Sequence, residues 1–476
     1  MYVEIPFDGP CSMYECLSAP YSFLLESIKG SEKIARYSFI GFDPCMIFST
    51  KNGVVEITSD ERKRFSSGDP LGILKKVMNS YNQTCFEHLP VFQGGVVGIL
   101  SYDFVQYLEH LPQIAIDDLN LPDAHFFMVD KCIAFDHVLK KCWVIVCPGL
   151  KESISLASER IIDWSQKYDE AHDKLDNILK TVSDKRLLKR KNLILKPKDK
   201  GKVDIVSEMT KEDYMHMVRR AKEYIASGDI FQANLSQRVT SHIMNKSPWN
   251  LYRTLRSINP SPFAAFMDFG DYQIVSSSPE RLVRIQDGVI ETRPIAGTRP
   301  RGKDSREDEL MRAELLLNEK ERAEHIMLID LERNDLGRVS DYGSVRVDEL
   351  MITEDYSHVI HIVSNVKGNL AKGKDCFHAI KATFPGGTIT GVPKVRCMEI
   401  IDELEPVKRG PYTGSIGYIS FSGNMDMNIV IRTFVIKNSN AYVQVGAGIV
   451  SDSDPEREYF ETLKKAEALV RTLEAV

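Results

Sequence analysis

Over the first 150 residues, apolar positions come in short runs bounded by Gly, Pro or charged residues: Tyr37–Ile40, Val54–Ile57, Gly95–Leu100, Phe126–Val129 and Cys142–Val146. Runs of that length and spacing predict strands of a sheet. The period then becomes helical. Ile154, Ile161, Trp164, Tyr168, Leu175, Ile178 and Leu179 recur on one face and predict an amphipathic helix. Between Asp184 and Asp204 the chain is basic, contains Pro197 and has little apolar content beyond Leu193–Leu195, so it predicts a boundary or surface connection. Three regions follow from these shifts: 1–150, 151–205 and 206–476.

A helix is expected to start at Thr210, where Thr210 and Asp213 have capping-box spacing and Tyr214, Met217, Val218, Ala221 and Ile225 follow at helical intervals up to Gly228. Further on, helical patterns cover Asp308–Leu331, Lys394–Leu404 and the chain from Pro455 onward. Asn428–Ile436 and Tyr442–Val445 read as strands, the latter running into Gly446-Ala447-Gly448. There is no repeat of fixed period and no low-complexity tract.

With 476 residues, 43% hydrophobic and 27% charged, the chain has ample material for a large core, which excludes extended disorder. Its net charge of −6, without a long basic block, argues against nucleic acid as a partner and makes a small molecule the default. The basic stretch at 184–204 reads as a solvated linker face. No apolar run approaches the ~18 residues that span a bilayer, and MYVEIPFDGP lacks the features of a secretory signal, so a cytoplasmic protein is expected. The nine cysteines show no CxxC spacing and read as reduced core thiols rather than disulfides or zinc ligands.

Several groups suit a small polyanion. Glu321, Glu324, Leu328 and Leu331 share a helical face, and a carboxylate within an apolar stripe is costly unless paired or bound to a cation. A solvated or salt-bridged glutamate is the plainer reading of Glu324. After Asp454-Pro455, Glu458, Glu461 and Lys465 again share a face. These two carboxylates suit a hard cation and the lysine an anion, while Glu461–Lys465 equally fits an ordinary surface pair. The glycines of Gly446-Ala447-Gly448, and of Phe384-Pro-Gly-Gly ahead of the helix at Lys394, let backbone N–H groups approach an anion. The second segment lacks P-loop spacing, so no nucleotide is implied. Tyr412, Arg432 and His361 complete the polar set, although a histidine in an apolar run is commonly a core residue.

Taken together, GDIFQANLSQR, NPSPFAAF, SSSPERL, TRPIAGTRPRG, KERAEHIMLIDLERNDLGRV, FPGGTITGVPKVRCMEIIDELEP, RGPYTGSIGY and GAGIVSDSDPEREYFETLKKAE resemble the motifs of chorismate-utilising enzymes, specifically component I of anthranilate synthase and of aminodeoxychorismate synthase. The resemblance implies an α/β (α+β) sandwich of two large packed sheets with helices outside. It implies Mg2+ held by Glu324 and Glu461, His361 near the leaving C4 hydroxyl, and Lys465 within the catalytic set. Tyr412, Arg432, Gly446, Ala447 and Gly448 match positions that hold substrate carboxylates, and Gly297 and Thr298 match the pair beside the ring. Ser27, with Pro262, Phe263 and Ala264, resembles the family's tryptophan pocket.

Water-adding relatives carry a lysine base where this chain has Gln232, and an amide cannot deprotonate water, so ammonia is the expected nucleophile. No cysteine sits in a GxCxG setting; ammonia is therefore expected from solution or a separate glutamine amidotransferase subunit. The product is read as 4-amino-4-deoxychorismate, because QANLSQR, SPERL, YTGSIGY and DSDPE resemble that branch more than VVLSQR, SPEML, YAGAVGY and DSVPE of the anthranilate branch. Ala296, where best-known aminodeoxychorismate synthases have a nucleophilic lysine, points instead to anthranilate, the alternative product. A remoter alternative is a non-catalytic aromatic amino acid sensor, which the presence of the whole catalytic set opposes.

Overall fold

The computed structural model describes every residue except 61, 82, 84, 155–161, 190–202, 245 and 356–358. Two twelve-stranded antiparallel sheets are built jointly by the two ends of the chain. In the first, Ser22–Glu26 pairs with Phe263–Asp268, and Asn440–Ile449 with Gln232–His242. In the second, Gly95–Leu100 pairs with Ser415–Ser420, and Ile295–Pro300 with Val359–Asn369. Regions 1–150 and 206–476 thus both supply strands to both sheets, so neither sheet belongs to one region alone.

The sheets pack face to face through an apolar layer including Phe39 and Ile274 of one and Val97, Phe127 and Tyr418 of the other, with the Phe39 and Tyr418 rings 5.4 Å apart. Outside the first sheet lie Pro10–Leu17, Trp164–Lys189, Pro248–Ile258 and Pro455–Ala475, packed through residues such as Tyr14, Leu175, Tyr252 and Leu469. Outside the second lie Pro70–Met78, Glu319–Gly337 and Cys376–Thr383, while Lys394–Leu404 packs on Gln232–His242 of the first. This is the two-sheet sandwich with outer helices that the motifs implied. Among the described residues no helix is long and apolar enough to cross a membrane.

The helix at Thr210 has both reciprocal capping bonds: the Thr210 hydroxyl accepts from the Asp213 amide at 3.1 Å, and Asp213 accepts from the Thr210 amide at 3.1 Å. The periodic segment forms Trp164–Lys189, which continues past Asp184 into the stretch expected as a connection, while Ile154 ends the separate short helix Leu150–Ile154; Ile161 and residues 190–202 lie outside the described residues.

Three further expectations are corrected. Asp308–Leu331 is not one helix: Asn318 ends Ser305–Leu317 and caps Glu319–Gly337, accepting from the Glu321 amide at 3.0 Å. Asn428–Ile436 is not one strand, because Arg432 has φ 51, which breaks the run between Met425–Asn428 and Thr433–Lys437. The strand expected at Tyr442–Val445 continues through the glycines as Asn440–Ile449.

Candidate active site

Strand alternation places Gln232, Asn234 and Ser236 on one face of Gln232–His242, opposite Gly448 and Gly446 of the neighbouring strand, while Ala233 and Leu235 enter the core. The glycines are required by what approaches them. A Cβ at Gly448 would lie 2.5 Å from Gln232 Nε2, and one at Gly446 would lie 2.6 Å from Asn234 Oδ1 and 2.7 Å from the Tyr412 hydroxyl oxygen. The Lys465 ammonium donates to the Gly446 carbonyl at 2.9 Å and pairs with Glu461 at 2.9 Å. Pro455–Ala475 presents both residues, and Asp454 caps that helix by accepting from the Arg457 amide at 2.9 Å.

The second sheet supplies the opposite wall. At a bulge between Ala296 and Thr298, Gly297 takes φ +69, and a Cβ there would lie 2.9 Å from Glu321 Oε2. The Thr298 hydroxyl lies 2.8 Å from His361 Nδ1, and the Gly297 carbonyl 3.4 Å from the same nitrogen. Burial, reinforced by Arg432, pushes His361 down to about 4, so the ring is neutral at neutral pH. Burial pushes the Glu280 carboxyl up to about 7, against the pull of Thr388, the Ile295 amide and Arg432.

Between the walls lie carboxylates from two helices. Burial raises Glu324, and its neighbours Glu321, Asp452 and Glu458 add to the rise while Lys320 opposes it. Burial also raises Glu458, with Glu461 adding to the rise and Ser453 and Lys465 opposing it. Glu321 is paired with Arg299 at 2.7 Å, Asp452 with Lys320 at 2.9 Å and Glu461 with Lys465 at 2.9 Å, so Glu324 and Glu458 are the members whose ionised form a divalent cation would relieve most. Among the described residues no three His, Cys, Asp or Glu side chains are grouped tightly enough to encage a metal alone.

The family model of chorismate binding enzymes matches residues 20–471. The chain belongs to that family. Anthranilate synthase component 1 of Acetivibrio thermocellus is 45% identical over 100% of this chain and 94% of its own length. Aminodeoxychorismate synthase component 1 of Bacillus subtilis is 44% identical over 99% and 96%. The crystal structure of anthranilate synthase component I from Streptococcus pneumoniae TIGR4 superposes with a TM-score of 0.79 at 36% identity, covering 93% of this chain and 95% of that one.

In this chorismate-binding enzyme most of the residues expected from sequence fall into two groups, one on each sheet, while the Ala447 side chain enters the core. Gln232, Tyr412, Gly446, Gly448 and Lys465 meet on the first sheet, and Gly297, Thr298 and His361 on the second. Glu321 and Glu324 connect the second-sheet group to Glu458, Glu461 and Lys465. Among the described residues, Gln232 Oε1, Asn234 Oδ1, Glu280 Oε1 and Glu321 Oε2 are buried without a hydrogen-bond partner. Unsatisfied polar atoms from several elements lining one place indicate a ligand that satisfies them.

Ser27, Pro262, Phe263 and Ala264 lie elsewhere, lining a cavity of about 440 Å3, where the Ser27 hydroxyl donates to the Pro262 carbonyl at 3.0 Å. Glu280 and Asn234 were not singled out from sequence, although SSSPERL and QANLSQR contain them. The signal of Asn234 was a polar residue at an alternating strand position, whereas Glu280 sits in the short link between Tyr272–Ser278 and Arg281–Gln286, where no local pattern marks it.

Proposed function

We propose that this chorismate-binding enzyme aminates chorismate to 4-amino-4-deoxychorismate, using ammonia from a separate glutamine amidotransferase subunit. The observation that carries this reading is Gln232, whose buried amide faces the bare backbone of Gly448 where water-adding relatives place a lysine base. An amide can accept a hydrogen bond from ammonia, which needs no base to attack.

Tyr412, Arg432 and the N–H groups near Gly446 and Gly448 would hold the two substrate carboxylates, and Lys465 would add positive charge beside them. Glu324 and Glu461, with Glu458 beside them, would hold Mg2+, which when bound neutralises the ring carboxylate and draws charge from the leaving oxygen. Ammonia bonds to C2 as the C4–O bond breaks, and Glu280 gives its proton to the departing hydroxyl, which leaves as water. A second ammonia then bonds to C4 while the C2 ammonium group leaves as ammonia, and the new C4 ammonium returns a proton to Glu280, so the net change is one ammonia in and one water out. A neutral His361, anchored by Thr298, serves this step as a hydrogen-bond partner rather than as the acid.

Asn234 favours retention of the enolpyruvyl ether: it puts a buried amide beside Tyr412 where the anthranilate-type VVLSQR pattern has valine, and an amide there can orient the side-chain carboxylate. Ala296, which cannot act as a tethered nucleophile, favours the second reading, anthranilate with release of pyruvate. The separate cavity is read as the place of an aromatic amino acid effector; calorimetry with L-tryptophan that detected no binding would remove that assignment.

The purified chain is expected to turn over chorismate with ammonium, the rate rising with free ammonia up to about pH 7, where loss of the Glu280 acid form begins to offset that gain, and to ignore glutamine until an amidotransferase is added. Glutamine-dependent turnover by the chain alone would refute the two-subunit reading.

A further inference from the structure

Behind the wall that carries Gln232, Asn234 and Tyr412 lies a buried guanidinium that nothing above has used. Arg409 is 3% exposed, as is Glu405, and each of its five N–H groups has an acceptor. Nε donates to Glu405 Oε2 at 2.9 Å and Nη2 to Glu405 Oε1 at 2.6 Å. Nη2 also donates to the Asn234 carbonyl at 2.6 Å, and Nη1 to the Ile389 carbonyl at 3.0 Å and the Thr413 hydroxyl at 3.3 Å. The Tyr102 and Tyr412 rings lie 4.9 and 5.6 Å from the guanidinium carbon.

Each acceptor belongs to a different segment, and three of those segments carry groups of the site. Asn234 is on the strand of Gln232, Ile389 ends the glycine-rich turn that contains Thr388, and Thr413 directly follows Tyr412. Thr413 has φ 59, a costly conformation for a β-branched residue, which persists where surrounding bonds impose it. Glu405 extends the clamp by accepting from the Ser236 amide and hydroxyl, both at 2.8 Å, and the Gln444 amide donates to that hydroxyl at 2.8 Å.

We infer that Arg409 is a positioning residue that sets chorismate affinity by fixing Tyr412 and the Asn234 strand, without touching the substrate. The inference rests on the reading of Tyr412 as a carboxylate-binding group. Lysine preserves the charge opposite Glu405, but its single ammonium cannot reach four segments at once.

The test is a double-mutant cycle of Arg409→Lys and Tyr412→Phe, reading KM for chorismate and kcat with ammonium. Tyr412→Phe alone is expected to raise KM about tenfold, the loss of one hydrogen bond to a charged group. Arg409→Lys is expected to raise KM to a similar extent with kcat within about twofold, and the double variant to be no worse than Arg409→Lys. Multiplying KM effects, or an unchanged KM in Arg409→Lys, would overturn the positioning role while leaving Tyr412 in place. An unchanged KM in Tyr412→Phe would remove the reading of Tyr412 and the inference with it. Should Arg409→Lys fail to fold, Thr413→Val removes one arm of the clamp at nearly constant volume, and the same cycle with Tyr412→Phe decides by the same criterion.

Discussion

Replacing Glu324 by Gln is expected to lower turnover about a thousandfold while leaving the melting temperature unchanged or slightly higher. The two halves of this result have one cause. Burial, together with Glu321, Asp452 and Glu458, already disfavours the ionised carboxylate, so losing its charge relieves the folded chain. Losing an anionic ligand, in contrast, removes part of the electrostatic assistance given to the departing hydroxyl, and ~4 kcal/mol of such assistance corresponds to about a thousandfold in rate. Calorimetric titration with Mg2+ should show weaker binding in the variant. Wild-type turnover with unchanged Mg2+ affinity would remove Glu324 from the site.

Glu280→Gln is expected to cost about 10²–10⁴-fold in turnover, the usual contribution of a positioned acid. Its pH dependence distinguishes it from Glu324. The acid form is needed, and the carboxyl is pushed up to about 7, so at fixed free ammonia the wild-type rate should hold below about pH 7 and fall above it. The variant should lack that fall. Stability has the same direction: a carboxyl raised above its ordinary 4.5 favours the folded state while protonated, and that contribution is lost as pH rises toward 7. Glu280→Gln should therefore flatten this part of the stability curve. Glu332 is also raised, by burial and by Asp335, so the comparison with the variant is what isolates Glu280. An unaltered alkaline limb in Glu280→Gln would show that another group is the acid.

The elements legible in the sequence are those whose signal is local. Gly95–Leu100 forms a strand with the expected limits, and the Thr210 capping box makes both of its bonds. The break at Asn318 carried its own signature, an N-cap residue with Glu321 three positions on, but apolar spacing continued across it and hid the interruption. Arg432 gave no such warning, since an arginine with positive φ looks like any strand arginine until its neighbours fix it. The sharing of both sheets by the two ends of the chain depends on pairs such as Leu25 with Ala265, 240 positions away, which no local period encodes.

The same distinction holds within the site. Glu324 and Glu461 were singled out because a carboxylate on a helical face suggests a cation, and Gln232 because the resemblance places a lysine at its position in water-adding relatives. Glu280 stayed hidden because its raised protonation comes from burial, a property of the folded surroundings. Arg409 stayed hidden for a related reason: its five hydrogen bonds reach segments scattered from Asn234 to Thr413. His361 lies beside Thr298, and its burial makes it a poor proton donor, which the sequence alone could not reveal.

The identity of the product tests the central claim most directly. Ammonia added at C2 leaves an intermediate that either loses pyruvate and becomes aromatic or exchanges its C2 amine for one at C4. Purified chain incubated with chorismate, Mg2+ and ammonium is expected to form a compound that retains the enolpyruvyl ether, releases no pyruvate, and yields 4-aminobenzoate after a separate lyase is added. Anthranilate fluorescence accompanied by stoichiometric pyruvate, with no lyase present, would contradict it.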